Sequence, residues 1–198
     1  MASDGVRLPV VTEQAATGET AQLYGEISEF FGLGFVPDVF QLTSTRPSFL
    51  RAFWEGFRSI FTEGVLSRET KELIAALVAR DAGCRYCVDA HLLLLDMIGT
   101  DRQVVEAARV EAVGDMPVEP KVRALLEFVQ RIDHEAYRIT DTQFTELRDV
   151  GWSDPEILEG IWTACIFNAI VRLVDTLGLY RLGQLAEAPP AASPASPS

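Results

Sequence analysis

The sequence predicts an all-α protein, and three observations carry that prediction. Apolar residues recur at helical spacing in segment after segment, and no convincing two-residue alternation of a strand is found. Gly, Pro, Ser and Thr punctuate these segments where helices start and stop. The connections are short, so neighbouring helices should pack as antiparallel pairs.

Each element has its own signal. "TGETAQLYGEISEFFG" reads as a helix ending at Gly32, and a short element follows Pro37. "RPSFLRAFWEGFRSIFTEG" places Pro47 near a helix start and Gly64 just past its end. Its aromatic stripe should form core or pocket wall. "LSRETKELIAALVARDAG" has Ser67 as N-cap, Glu69 in the first turn and Gly83 as stop. The next helix covers about 84 to 98 and stops at Gly99, and Thr100 caps another. "EPKVRALLEFVQRIDHEAYR" gives one more, and Thr140 opens a short helix ending at Gly151. Ser153 and Glu156 form a capping box ahead of "ILEGIWTACIFNAIVRLVDTLG". Residues 1–15 should run extended, residues 16–182 form a single domain, and residues 183–198, rich in Pro, Ala and Ser, form a disordered tail.

Composition narrows the function. The 198 residues are 48% hydrophobic and 23% charged, which suits a soluble globular chain. No apolar run approaches the roughly 20 residues that cross a bilayer, and the N-terminus lacks the pattern of a secretion signal. A net charge of −12 repels phosphate backbones and anionic lipid, so nucleic acid and membrane are poor partners. Three cysteines are too few, and odd in number, for a secreted disulfide framework. A cytoplasmic protein is expected.

"GCRYCVDAH", residues 83–91, holds two of those cysteines and one of the two histidines. With Gly83 as a stop, Cys84 lies at a helix N-terminus, where free N–H groups and the dipole favour a thiolate. At about 100° per residue, Cys84, Cys87 and His91 fall within about a 60° arc of one face. Cys84 and Cys87 can close a disulfide there, with His91 one turn on as proton acceptor. The rest of that helix, "LLLLDMIG", is apolar almost all round and needs cover, most easily from a subunit interface. Other readings stand beside this one. C-x2-C-x3-H could supply three zinc ligands, with Glu72, His134 or Cys165 as a fourth, or the thiols could simply be buried. Taken alone, Glu72 reads as a solvated helix residue and His134 as a surface residue. Cys165 reads as a buried, inert thiol, and Arg172 as the ion-pair partner of Asp175.

The spacing of Glu72, Cys84, Cys87 and His91, Glu-x11-Cys-x2-Cys-x3-His, resembles the alkylhydroperoxidase D-like (AhpD-like) proteins of the carboxymuconolactone decarboxylase superfamily. "ATGETAQLYGEI" and "FNAIVRLVDTLGL" resemble them too, and the likeness covers most of residues 15 to 180, in the manner of the peroxidase-related branch. The resemblance implies an AhpD-like helical bundle that assembles as a homo-oligomer, a trimer or hexamer. It implies a thiol peroxidase in which Cys87 attacks a hydroperoxide and Cys84 condenses with the resulting sulfenic acid. Glu72 and His91 would form the proton relay. Tyr86 stands between the cysteines where the best-known member has a histidine, and is a candidate for substrate contact. That chemistry requires no haem, flavin or metal, and an external dithiol, lipoyl- or thioredoxin-like, must reset the site. The alternatives are a carboxymuconolactone decarboxylase-like enzyme and a non-catalytic redox-sensing or zinc-stabilised interaction protein.

Overall fold

The computed structural model describes residues 5–62, 64–110 and 112–186. Among them are nine α-helices and no strand, as the helical spacing predicts. They are α1 (Gly18–Phe31), α2 (Asp38–Gln41), α3 (Pro47–Thr62), α4 (Arg68–Ala82), α5 (Arg85–Met97), α6 (Arg102–Val110), α7 (Pro120–Glu135), α8 (Asp141–Asp149) and α9 (Asp154–Leu177).

The punctuation residues do the work assigned to them. Ser67 Oγ accepts the Thr70 N–H at 3.1 Å and opens α4. Gly32 adopts the left-handed conformation that closes α1. At α9, the Ser153 amide and hydroxyl both donate to Glu156 Oε2 at 2.7 Å. One expectation is corrected: Asp101, not Thr100, caps α6. The Thr100 amide is spent on Leu95 O, closing α5, so the cap moves on by one residue. Asp101 Oδ1 then accepts the Gln103 N–H at 2.7 Å.

The chain forms two compact units. Among the described residues, one contains those up to Trp54 and residues 177–186. Its core is aromatic: the Trp54 ring meets Phe30 and Phe40 edge-on, at 5.2 and 5.5 Å between centroids. Of the segment expected to run extended, residues 1–4 lie outside the described residues, and Glu13–Ala15 make a 3-10 turn. Arg7 N–H donates to Leu177 O at 2.7 Å. Of the expected tail, residues 187–198 lie outside the described residues. The amides of Gly183, Gln184 and Leu185 donate to Asp38, whose carboxyl burial nonetheless pushes up.

The other unit runs from Glu55 to Thr176 and is organised around α4. Residues 70 to 79 of α4 are buried without interruption, so its polar side chains must find partners inside the protein. Lys71 Nζ donates to Ile60 O at 2.6 Å and pairs with Glu159 of α9. Glu159 also accepts the amides of Val65 and Leu66, tying the α3–α4 loop to α9. The aromatic stripe of α3 is core as expected, with Phe57 and Phe61 6.0 and 6.2 Å from Phe167. Contrary to the sequence expectation, α9 is by length and composition apolar enough to cross a bilayer. Its inner face, including Ala164, Phe167 and Val171, is buried, whereas Leu158 and Trp162 are exposed.

Candidate active site

The turn between α4 and α5 builds the site. Gly83 takes φ 76°, a conformation that costs any side-chain-bearing residue about 1 kcal/mol or more. That bend lets the Cys84 amide reach back to Ala79 O at 2.9 Å while the Cys84 carbonyl accepts the Val88 N–H at 3.0 Å. Cys84 therefore closes one helix and caps the next. The chain folds back so tightly that α5 lies along α4, and residues 19 apart in sequence meet.

Those residues are Glu72 and His91. Glu72 Oε2 lies 2.6 Å from His91 Nδ1. Arg68, one turn earlier on α4, directs Nε and Nη2 at the other oxygen, Oε1, at 2.7 and 2.6 Å. Arg68 also stacks its guanidinium 4.0 Å over the Phe61 ring. Facing a carboxylate, Nδ1 carries the ring hydrogen and Nε2 is left as the acceptor. The edge of Phe167 packs against the imidazole at 4.6 Å and 89°, which fixes its tilt.

All four residues of the spacing pattern are buried: Glu72 and Cys84 are 0% exposed, Cys87 2% and His91 5%. Cys84 and Cys87 are not joined by a disulfide in the structure, and the Cys87 thiol lies against Cys84. Cys87 holds its proton far more tightly than an ordinary thiol. The hydrogen bond to Cys84 is the largest cause, followed by burial, then by the charges of Cys84 and Asp175. A thiol held this way needs a base at the moment it reacts. His91 is one helical turn away on the same face.

The structure hydrogen bonds Glu72 to His91 and sets Cys87 against Cys84, and it buries all four together with Tyr86. His134 stands apart, exposed, 3.5 Å from Asp81. Cys165 is exposed rather than buried, because it falls on the outer face of α9. Arg172 does not pair with Asp175; its Nη1 donates to the backbone and side-chain oxygens of Asn168 at 2.7 Å. Among the described residues, no three His, Cys, Asp or Glu side chains are grouped to hold a metal ion. Sequence reasoning missed Arg68, Phe167 and Asp175. The Arg68–Glu72 spacing of four was the one legible signal.

Nine α-helices and no strand among the described residues make an AhpD-like helical fold. Comparison with known proteins agrees. Residues 47–131 match the carboxymuconolactone decarboxylase family. An alkyl hydroperoxide reductase of Mycobacterium tuberculosis is 34% identical over 107 residues, 53% of this chain. The chain spans only 30% of that relative's length. A peroxidase-related protein from Ralstonia eutropha JMP134, described as having an alkylhydroperoxidase AhpD core, superposes with a TM-score of 0.81. It is 25% identical, with 89% of this chain and 92% of that one covered. The debrominase Bmp8, solved with 2,3,4-tribromopyrrole, shares the fold at a TM-score of 0.74 and 20% identity, covering 91% of this chain and 96% of its own. In sequence over residues 47–131 and in fold, the chain is similar to proteins of the carboxymuconolactone decarboxylase superfamily.

Proposed function

We propose that this chain is a thiol-dependent hydroperoxide reductase working through Cys84 and Cys87. The observation that supports it most is the Glu72–His91 hydrogen bond, which supplies a buried dithiol with its own oriented base. His91 Nε2 takes the Cys87 proton as the sulfur attacks the outer oxygen of R–O–OH. The O–O bond breaks, the alcohol leaves with the proton from His91, and Cys87 becomes a sulfenic acid. Cys84 then attacks that sulfur: the S–S bond forms, and hydroxide departs as water with the Cys84 proton. Two electrons pass from the dithiol to the peroxide. Enclosure of both sulfurs and the aromatic rings of Phe61 and Phe167 beside the site favour an organic hydroperoxide over a highly charged one.

An external dithiol, lipoyl- or thioredoxin-like, returns the electrons. The net charge of −12 favours a donor with a positive or neutral docking face and disfavours nucleic acid. A reducible dithiol suits the cytoplasm. We read α9 as a core and interface helix, not a membrane span, since its inner face packs within its own unit. Leu93 and Met97 on α5 and Ile98 just after it, with Leu158 and Trp162 on α9, are exposed apolar residues that assembly into a trimer or hexamer would cover. Tyr86 is the candidate substrate contact within the site. A lactone decarboxylase, the reading raised by the family's name, has no use for a second thiol beside the first. The test is hydroperoxide consumption with a dithiol donor by the wild type and by C87S and C84S. C87S should be inactive. C84S should hold a trappable sulfenic acid on Cys87; a sulfenic acid trapped on Cys84 of C87S, with none formed in C84S, would reverse the two roles.

A further inference from the structure

The geometry points to Arg68 as a positioning residue: by holding Oε1 of Glu72 it sets both the charge and the rotation of that carboxylate, and so which nitrogen of His91 faces the thiols. This deepens the proposed function and rests on it. A wholly buried carboxylate facing only an imidazole would sit more comfortably as the neutral acid. That acid would give its proton to Nδ1 instead of accepting one, and the ring would then present an N–H to the thiols. Arg68 prevents this with two contacts to one oxygen, from a guanidinium that stays charged at any working pH. Its own cost of burial is small, since its side chain remains 34% exposed and stacks on Phe61.

The groups around Glu72 leave the role to Arg68. From α5 comes His91, whose ring is backed by the apolar edge of Phe167 on α9. From α3 comes the Phe61 ring beneath the guanidinium. Lys71, next to Glu72 in sequence, is engaged by Ile60 O and Glu159 and cannot substitute. Asp175 bears on Cys87 and is negative. Arg68 is a cation hydrogen bonded to Glu72.

The test uses full-length R68M and R68K in a C165S background, which removes the exposed third thiol. Two quantities are measured from about pH 5 to about pH 9: hydroperoxide consumption with a dithiol donor, and the rate of Cys87 alkylation by iodoacetamide. R68M should lose roughly 10- to 100-fold in peroxide turnover. Its acid limb should be displaced from the wild-type position, because the counter-charge that faces the Glu72 carboxylate is gone. R68K should hold the limb near the wild-type position and recover part of the rate. If R68M does not fold, the comparison of R68K with wild type carries the charge argument alone, and a Lys variant with a displaced limb overturns it. An R68M profile that coincides with wild type also overturns it, as does R68K behaving like a folded R68M. Should the wild type consume no hydroperoxide, the proposed function fails while the alkylation profile still decides the role of Arg68.

Discussion

Replacing Glu72 with glutamine removes a charge and almost no volume, and the structure says which way the amide must turn. Oε1 is claimed by Arg68, which only donates, so the amide carbonyl has to face Arg68. The NH2 group is then left against His91 Nδ1, formerly 2.6 Å from a carboxylate oxygen. Nδ1 becomes the acceptor, the ring hydrogen moves to Nε2, and the imidazole can no longer take the Cys87 proton. Recovering the working tautomer means turning an NH2 into the guanidinium, at about 2–4 kcal/mol for a lost charge-assisted bond and two opposed donors. At about 1.4 kcal/mol per decade, that is roughly a 30- to 1,000-fold fall in kcat/KM for hydroperoxide. The same logic makes R68M a partial suppressor: with the guanidinium gone, the amide can turn its carbonyl to Nδ1, so E72Q/R68M should turn over faster than E72Q. The assay is peroxide consumption under excess dithiol, with far-UV circular dichroism as a check on folding. E72Q within about threefold of wild type, or a double variant slower than E72Q, would refute the reasoning.

Two further substitutions test the frame around the site. K71M breaks a buried pair and leaves Glu159 with only the Val65 and Leu66 amides; it should destabilise by about 3–5 kcal/mol, read from denaturant unfolding. Burial pushes the Glu159 carboxyl up, but Lys71 and the two amides outweigh it and hold the carboxyl below its ordinary range. The stabilisation from that carboxylate is therefore present above its unfolded value and is lost as pH falls through the depressed folded one. D133N should do the opposite. Burial raises the Asp133 carboxyl to about 6 against an ordinary 3.8, so ionising it opposes folding above about pH 6. That cost fades as pH falls toward 3.8. Discounted for partial exposure, the gain from D133N is about 1 kcal/mol near pH 7.5. It should appear as a higher Tm there and vanish by about pH 4.

What could be read from the sequence was local chemistry. Gly32 and Gly83 mark turns because a residue without a side chain tolerates the left-handed bend, and Ser67 marks a start because its hydroxyl reaches an amide three residues on. Thr100 misled for an equally local reason, since its amide was already committed to the preceding helix. The facing of α9 was not legible. A helix apolar on nearly every side gives no preferred inner face, so Cys165 was placed inside and Asp175 was given to Arg172. In the site, the shared face of Cys84, Cys87 and His91 follows from helical spacing alone. The burial of Glu72 does not: a glutamate on a helix with charged neighbours looks solvated until α5 is folded against α4. Arg68 was legible only as a spacing of four from Glu72, because its importance exists only through that buried carboxylate.

The most direct measurement is the mass and peptide map of reduced protein treated with one equivalent of an organic hydroperoxide. The account predicts consumption of that equivalent and a loss of about two daltons per chain, the two hydrogens of the dithiol. Because Arg85 separates the cysteines, trypsin should then release residues 81–85 and 86–102 joined by a Cys84–Cys87 disulfide. Peroxide left unconsumed, or oxidation found on Cys165 with Cys84 and Cys87 still free, would contradict it.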